Sequence, residues 1–183
     1  MIFNYESVMS DLYIKKNKLE IINKKSKSYK EFLKKKNKDK YSFIKKYTKN
    51  TFDEKYVINI CKNRKNKFLF FCIDSNINYL NIPSMLIYRK IFNQKDKVRF
   101  ALLLIVTLED YRSLGYGETI FYEFISKIKA KNKKTEIVLH SLKKSENFYL
   151  NLGFKKINNN RFLENLEGIN SDEKDKIFMK YLF

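Results

Sequence analysis

The chain has few of the residues that break secondary structure and few that bind metals. Its 183 residues include one proline, four glycines, two cysteines and one histidine. Because so few glycines and prolines leave little room for flexible linkers, we expect a single domain over residues 1–183. Cys61 and Cys72 form no Cys-x-x-Cys pair and have no neighbouring histidine, which argues against a zinc site and a disulfide framework. We therefore predict no metal and two reduced, buried thiols.

Long apolar runs and targeting signals are also missing. No stretch approaches the roughly 18 to 20 uncharged apolar residues that would span a bilayer. The N-terminal segment carries acidic residues early and no basic stretch ahead of an apolar run, so no secretory signal is visible. We expect an intracellular protein, cytoplasmic or nuclear, with no membrane partner, and either a monomer or a homodimer.

Acidic residues are outnumbered, and the imbalance is uneven along the chain. The net charge is +19, from 39 Lys and Arg against 20 Asp and Glu. Residues 1–50 hold 15 basic against 5 acidic residues, residues 51–99 hold 10 against 4, and residues 100–183 hold 14 against 11. Such a field attracts polyanions and anionic cofactors. A polyanion contact through the basic first half is one expectation, and a coding bias towards A/T-rich codons is the other source of this charge.

The apolar segments that are present predict helices packed on a mixed sheet. Apolar residues at helical spacing predict helices over residues 28–48, 54–61, 118–130 and 145–152. Apolar runs predict strands at residues 19–22, 67–73, 85–92, 98–108, 137–139, 154–157 and 176–183. The run 98–108 is long and apolar enough for the centre of a sheet. The order of elements predicts an α/β (α+β) domain.

The most informative segment joins the strand 98–108 to the helix after it. Residues 112–117 read Arg-Ser-Leu-Gly-Tyr-Gly, with glycine at alternate positions. A helix N-terminus presents unpaired N–H groups and the positive end of the helix dipole, and glycines let that backbone approach an anion closely. Arg112 adds a positive charge. The succession of strand, turn and helix therefore predicts a phosphate or pyrophosphate site.

Two other phosphate-binding loops do not fit this segment. No Lys-Ser/Thr pair follows the glycines, which excludes a Walker loop. Ile120 stands where a dinucleotide-binding loop has its third glycine, and no acidic residue stands at the required distance on a following strand.

The motif Arg112-x-x-Gly115-x-Gly117 resembles the Gln/Arg-x-x-Gly-x-Gly/Ala signature of the GNAT-superfamily N-acetyltransferases, which binds the pyrophosphate of acetyl-CoA. About thirty residues further on, residues 145–154 (SENFYLNLGF) are similar to the family's A-x-x-F-Y-x-x-x-G-F helix. A predicted strand lies between the two motifs, as in the family. The resemblance is specific over residues 98–183 and only permissive over residues 1–97.

This resemblance implies a GNAT-like fold with a mixed, largely antiparallel central sheet flanked by helices. It implies that residues 98–183 bind acetyl-CoA as co-substrate and that residues 1–97 shape the acceptor site. Leu142 stands where many members have a cofactor-contacting asparagine, and Ser141 or Ser145 would take its place. The cofactor contacts it implies are Thr107, Leu108, Arg112, Ser113, Leu114, Gly115, Tyr116, Gly117, Glu118, Ser145 and Phe148.

The resemblance also implies a direct transfer of the acetyl group to an amine. The strands 98–108 and 137–139 would splay apart around pantetheine, with a backbone N–H near Leu108 stabilising the oxyanion. Tyr149 would protonate the leaving thiolate, and Glu109 or His140 would act as general base. The alternatives are a core aromatic for Tyr149, a solvated turn residue for Glu109 and a structural residue for His140.

The sequence thus predicts an N-acetyltransferase whose acceptor is a primary amine on a protein, a peptide or a small molecule. Two other functions remain open, an acetyl-CoA-binding pseudoenzyme and a basic nucleic-acid-binding module on the same fold. No recognised nucleic-acid motif supports the second.

Overall fold

The structure is a computed structural model that describes residues 20–22, 37–48, 52, 54–72, 82–129, 134–158 and 176–183. The strands are β1 (Glu20–Ile22), β2 (Lys67–Cys72), β3 (Ser84–Asn93), β4 (Lys97–Thr107), β5 (Lys134–Leu142), β6 (Lys155–Lys156) and β7 (Lys176–Leu182). The helices are α1 (Asn37–Thr48), α2 (Glu54–Lys62), α3 (Tyr116–Ile128) and α4 (Glu146–Asn151). Short 3₁₀ turns follow β4 at Glu109–Tyr111 and β5 at Lys143–Ser145.

The described strands form one mixed sheet in the order β1-β2-β3-β4-β5-β7-β6. Every neighbouring pair is antiparallel except β4 and β5, which run parallel. A parallel pair needs a crossover connection, and α3 provides it. The predicted fold class, a largely antiparallel mixed sheet flanked by helices, is confirmed.

Helices cover both faces of this sheet. One apolar cluster lies between the sheet and α1 and α2, and the second lies between the sheet and α3 and α4. Alternation along β2 shows the division, because Phe70 belongs to the first cluster and Phe71 to the second. Since the central strands are buried on both faces, their sequences read as nearly continuous apolar runs.

The helix α3 begins at Tyr116, two residues before the predicted start at Glu118. Gly115 caps it with a left-handed backbone, φ +79°, and its carbonyl accepts the first intrahelical bond from the Thr119 N–H at 2.9 Å. Tyr116 and Gly117 therefore belong to the first helical turn rather than to the preceding loop. The spacing of apolar residues predicts one buried face made of Ile120, Phe121, Phe124, Ile125 and Ile128. Four of these residues are in the core, and Ile125 is half-buried.

The strand β5 runs from Lys134 to Leu142, so the prediction of a short strand at 137–139 was wrong. The polar residues at both ends of β5 interrupt the apolar run from which its length was predicted. Glu136 is only 4% exposed, and it is paired with Arg99, with Lys97 at 3.3 Å and with Lys180 at 3.8 Å. Burial acts to raise the pKa of Glu136, but the hydrogen bonds and charges of Arg99 and Lys97 hold it below its usual value. A buried carboxylate with these partners is compatible with an interior strand.

Several predictions for the first half fall partly on residues outside the described ranges. The helix expected over 28–48 is described as α1 from Asn37 onward. The sequence also predicts a capping box of Thr51 and Glu54 at the start of α2, and Thr51 lies outside the described residues. Cys61 is a buried free thiol, whereas the side chain of Cys72 is outside the description. No helix among the described residues combines the length and apolarity needed to cross a membrane.

Candidate functional site

A gap opens in the middle of the sheet between β4 and β5. The two strands pair from Lys97 and Lys134 as far as Ala101 and Val138. Beyond that point β4 continues beside β3 and β5 continues beside β7, and these two strands no longer pair with each other. The divergence predicted for these strands is therefore present in the pairing register.

A β-bulge in β4 lies close to the point where the gap begins. Leu103 has no partner in β3, because the residues on either side of it pair with the consecutive residues Tyr88 and Ile87. The Tyr56 hydroxyl of α2 donates to the Leu103 carbonyl at 2.5 Å. A bulge bends its strand and increases the local twist. The bulge thus turns β4 away from β5, and α2 holds its carbonyl in place.

The end of β4 directs backbone groups into this gap. The Leu108 N–H donates to the Pro83 carbonyl at 2.8 Å, so it points towards β3 and away from the gap. Because N–H groups alternate along an antiparallel strand, those of Ile105 and Thr107 point to the opposite side. The expected oxyanion donor cannot be Leu108 itself, and its neighbours Ile105 and Thr107 are the groups that face the gap.

The turn after β4 ends at an uncapped helix N-terminus. Ser113 and Gly115 have left-handed backbones, with φ +61° and +79°. No side chain caps α3, so the N–H groups of residues 116–118 have no acceptor within the helix. Arg112, Ser113 and Leu114 are exposed beside them. The turn predicted to bind phosphate is therefore accessible and rich in donors.

The glycines of this turn serve two different purposes. A Cβ at Gly115 would meet nothing within 4 Å, so glycine is needed there for the positive φ alone. A Cβ at Gly117 would lie 3.3 Å from Thr107 Oγ1 and 3.4 Å from Phe148 Cζ. Gly117 therefore lets α3, β4 and α4 approach one another, and it brings three of the predicted residues together.

Other residues predicted to bind the cofactor surround this contact. Tyr116 is half-buried, its ring lies 5.3 Å from that of Phe71, and burial raises the pKa of its phenol, as does Tyr111. Glu118 is in the first turn of α3 and half-buried. Ser145 precedes α4 but makes no side-chain capping bond, and Ser141 is buried with its hydroxyl donating to the Leu142 carbonyl at 2.8 Å.

Tyr149 is buried on the same side of the sheet as α3. Only 8% of it is exposed, and its ring packs 5.1 Å from Phe148 and 5.5 Å from Phe154. Burial raises the pKa of the phenol well above its usual value. The hydroxyl is therefore protonated across the physiological range.

The two candidate bases lie in different surroundings. Glu109 is exposed in the 3₁₀ turn directly after β4. His140 is in the part of β5 that borders the gap, but its ring lies 4.0 Å from Phe178 and both ring nitrogens are shielded from solvent. Alternation from Val138 places His140 on the face covered by α1 and α2, opposite to Tyr149. The roles of Glu109, His140 and Tyr149 stay predictions.

Sequence reasoning did not identify Tyr56, Leu103 or Ile105 as part of this site. An apolar run such as that of β4 has the same sequence pattern with or without a bulge. No sequence pattern around Tyr56 indicates a contact between α2 and β4. Among the described residues, no group of three or more His, Cys, Asp or Glu side chains could hold a metal ion.

Comparison with known proteins supports the resemblance to the GNAT acetyltransferases. Residues 91–170 match the family model described as the acetyltransferase (GNAT) domain. The chain has the GNAT acetyltransferase fold. The resemblance seen in the sequence is thereby confirmed, and no curated protein sequence matches the chain.

Solved GNAT structures superpose over most of the chain. A GNAT-family acetyltransferase from Staphylococcus aureus Mu50 is 22% identical with a TM-score of 0.59, covering 90% of this chain and 98% of its own. Arabidopsis thaliana Naa50, in complex with the bisubstrate analogue CoA-Ac-MVNAL, is 15% identical with a TM-score of 0.56, covering 90% and 99%. Arabidopsis thaliana NAA60, in complex with acetyl-CoA, is 8% identical with a TM-score of 0.54, covering 90% and 96%. At these identities the likeness establishes the fold.

Proposed function

We propose that this protein is an N-acetyltransferase that moves an acetyl group from acetyl-CoA to a primary amine by direct attack. The observation that carries the proposal is the gap between β4 and β5, which leads straight to the uncapped N-terminus of α3. A long, thin ligand with an anionic end fits this combination. The solved complexes of NAA60 with acetyl-CoA and of Naa50 with a CoA–peptide analogue are consistent with it.

The chain supplies the groups needed to bind acetyl-CoA at this place. The N–H groups of residues 116–118, the positive end of the α3 dipole and Arg112 would hold the pyrophosphate. Backbone groups of Ile105 and Thr107 that face the gap would pair with the pantetheine amides. Phe148, in contact range of Gly117, would form one wall.

Acetyl-CoA supplies an acetyl group that its thioester activates for transfer. The protein's part is to orient that group and to manage two protons. A backbone N–H facing the gap would stabilise negative charge on the acetyl oxygen. The Tyr149 hydroxyl holds the proton for the departing sulfur, because burial keeps the phenol neutral. Glu109 is the preferred base for the amine proton, since it is exposed whereas the His140 nitrogens are shielded from solvent.

The acceptor amine is proposed to lie on a protein or a peptide. Naa50 was solved with an analogue that joins CoA to the peptide MVNAL, which supports a peptide acceptor for this fold. We propose that the first half, residues 1–97, contacts the acceptor.

The placement of acetyl-CoA is tested by the charge beside the turn. We expect Arg112→Gln to weaken acetyl-CoA binding about 10-fold in isothermal titration, because it removes a charge-assisted hydrogen bond to phosphate. Lys46→Gln is the matched control, since Lys46 is exposed on α1 and its loss changes the net charge equally. Equal weakening in both variants would mean that Arg112 acts only through the overall charge.

Turnover is tested separately by thiol release when amines are added to the protein and acetyl-CoA. Lysine peptides, peptides with a free N-terminus and small amines form the panel. Release with at least one amine supports acetyl transfer. Binding of acetyl-CoA without release for any amine would contradict transfer and make the protein an acetyl-CoA-binding pseudoenzyme.

A further inference from the structure

A cavity of about 730 Å³ lies at the far end of α3 from the turn 112–115. It is bounded by the turn after α2, the middle of β3, the start of β4 and the C-terminal turn of α3. Because α3 has 13 residues, the two ends of the helix are about 20 Å apart. The cavity is therefore about 20 Å from the turn predicted to bind the pyrophosphate.

The walls of this cavity are strongly basic. None of the described lining residues is acidic, although Glu123 nearby lies 3.8 Å from Lys127. The Glu123 carboxylate and the negative end of the α3 dipole together offset about one and a half of the six positive charges, which leaves a net charge of about +4.5. A concave surface of one sign focuses its field on an anion inside it. The six lining cations are Arg64, Lys65, Lys67, Lys90, Lys127 and Lys129.

The floor of the cavity is aromatic and belongs to the sheet. The rings of Tyr88 and Phe100 meet edge to face with centroids 6.1 Å apart. In the strand register Lys67 is opposite Tyr88, and Lys90 is opposite Phe100 with its Nζ 6.0 Å from the ring centroid. Paired strands, rather than loops, therefore fix two of the cations beside the two rings.

Part of this positive charge is held away from water. The side chain of Lys127 is 30% exposed, and burial lowers the pKa of its amine despite the nearby Glu123. Like charges that converge on one concave surface repel one another. An anion bound among them would relieve this repulsion.

We propose that this cavity binds a chain of phosphates, carried by a nucleoside polyphosphate or by inorganic polyphosphate. Its volume is within the 300 to 1,000 Å³ that is typical of small-ligand sites. Lysine ammonium groups bind phosphate as point charges from several directions, which suits a flexible chain of charges. The proposed acetyl-CoA site uses none of the residues that line this cavity.

The test measures binding of inorganic tripolyphosphate and of ATP by isothermal titration at about 50 and 200 mM salt. We expect both ligands to bind with one site per chain. We expect Lys67→Gln/Lys90→Gln to weaken binding about 10-fold or more, since two charge-assisted contacts are lost. The control Lys46→Gln/Lys155→Gln removes the same charge from exposed sites outside the cavity and should change binding by less than about twofold.

The outcomes separate the proposal from a general attraction to anions. Undetectable binding, or equal weakening in both double variants, would overturn it. Displacement of tripolyphosphate by acetyl-CoA would also overturn it, because the anion would then occupy the acetyl-CoA site. If ATP binds more tightly than tripolyphosphate, and if Tyr88→Leu reduces the affinity for ATP to that for tripolyphosphate, the ligand is a nucleoside polyphosphate. Equal affinity for the two ligands assigns the phosphate chain alone.

Discussion

At the scale of single residues, burial decides the protonation state of Tyr149, the proposed general acid. A phenol in water has a pKa near 10, and the burial of Tyr149 raises the pKa further. The group can therefore hold and donate a proton but does not ionise at physiological pH. Its ring is also part of the core beside Phe148 and Phe154, so packing and chemistry have to be separated experimentally.

We predict that Tyr149→Phe lowers kcat by about 100- to 10,000-fold, the usual contribution of general acid–base assistance. Binding of acetyl-CoA should change little, because the ring that fills the core is kept. Steady-state thiol release and titration of acetyl-CoA measure the two quantities. Tyr181→Phe is the control, since Tyr181 also packs against Phe154 but lies on β7. A kcat within about twofold of wild type would contradict the general-acid role and show that Tyr149 is purely structural.

At the scale of elements, the site depends on where β4 stops pairing with β5. The bulge at Leu103 lies next to the last residues that β4 pairs with β5, and the Tyr56 hydroxyl of α2 bonds its carbonyl. A helix on one face of the sheet thereby contacts the strand that borders the gap. We propose that Tyr56 is a positioning residue for the proposed site.

We predict that Tyr56→Phe lowers kcat about 3- to 10-fold and lowers the free energy of unfolding by about 1 kcal/mol, the usual net value of one hydrogen bond. Loss of the bond leaves the Leu103 carbonyl without this donor and loosens the bulge. Kinetics and chemical denaturation measure both effects. Tyr41→Phe is the control, because it removes an exposed hydroxyl bond to Glu54, 2.6 Å long. A loss of stability with unchanged kcat would show that the bond is only structural.

At the scale of the whole molecule, the two apolar clusters share the central strands, which is consistent with the single domain proposed for residues 1–183. The full sequence carries a net charge of +19. Part of the charge converges on the cavity at the end of α3, so it is not spread evenly over the surface. A functional role for the charge, rather than a coding bias alone, therefore becomes a testable proposal.

We predict that the KM for an acidic or polyanion-bound amine acceptor rises several-fold between about 50 and 200 mM salt, while kcat stays nearly constant. Long-range attraction is screened over about 8 Å at physiological ionic strength, so salt weakens the encounter and leaves the chemistry alone. Initial rates at several salt concentrations give both constants, with a small neutral amine as the control acceptor. A KM that is independent of salt for every acceptor would favour coding bias as the source of the charge.

Local pattern was sufficient to predict most of the fold and the turn of the candidate site. Helical spacing located α3, apolar runs located β2, β3 and β4, and the Arg-x-x-Gly-x-Gly motif identified a turn whose backbone does adopt left-handed conformations. These features depend on side chains close together in the sequence, so a linear pattern records them. The short extent predicted for β5 was wrong because a buried Glu136 needs partners that only folding provides.

Only the tertiary structure decided which groups meet. The bulge at Leu103, its bond from Tyr56 and the direction of the Leu108 N–H towards Pro83 follow from strand register, which no local pattern specifies. The sequence by itself determined most of the elements, the left-handed turn predicted to bind an anion and the excess of positive charge. Folding decided where the sheet opens and where the cations converge, because both depend on residues that are distant in the chain and adjacent in space.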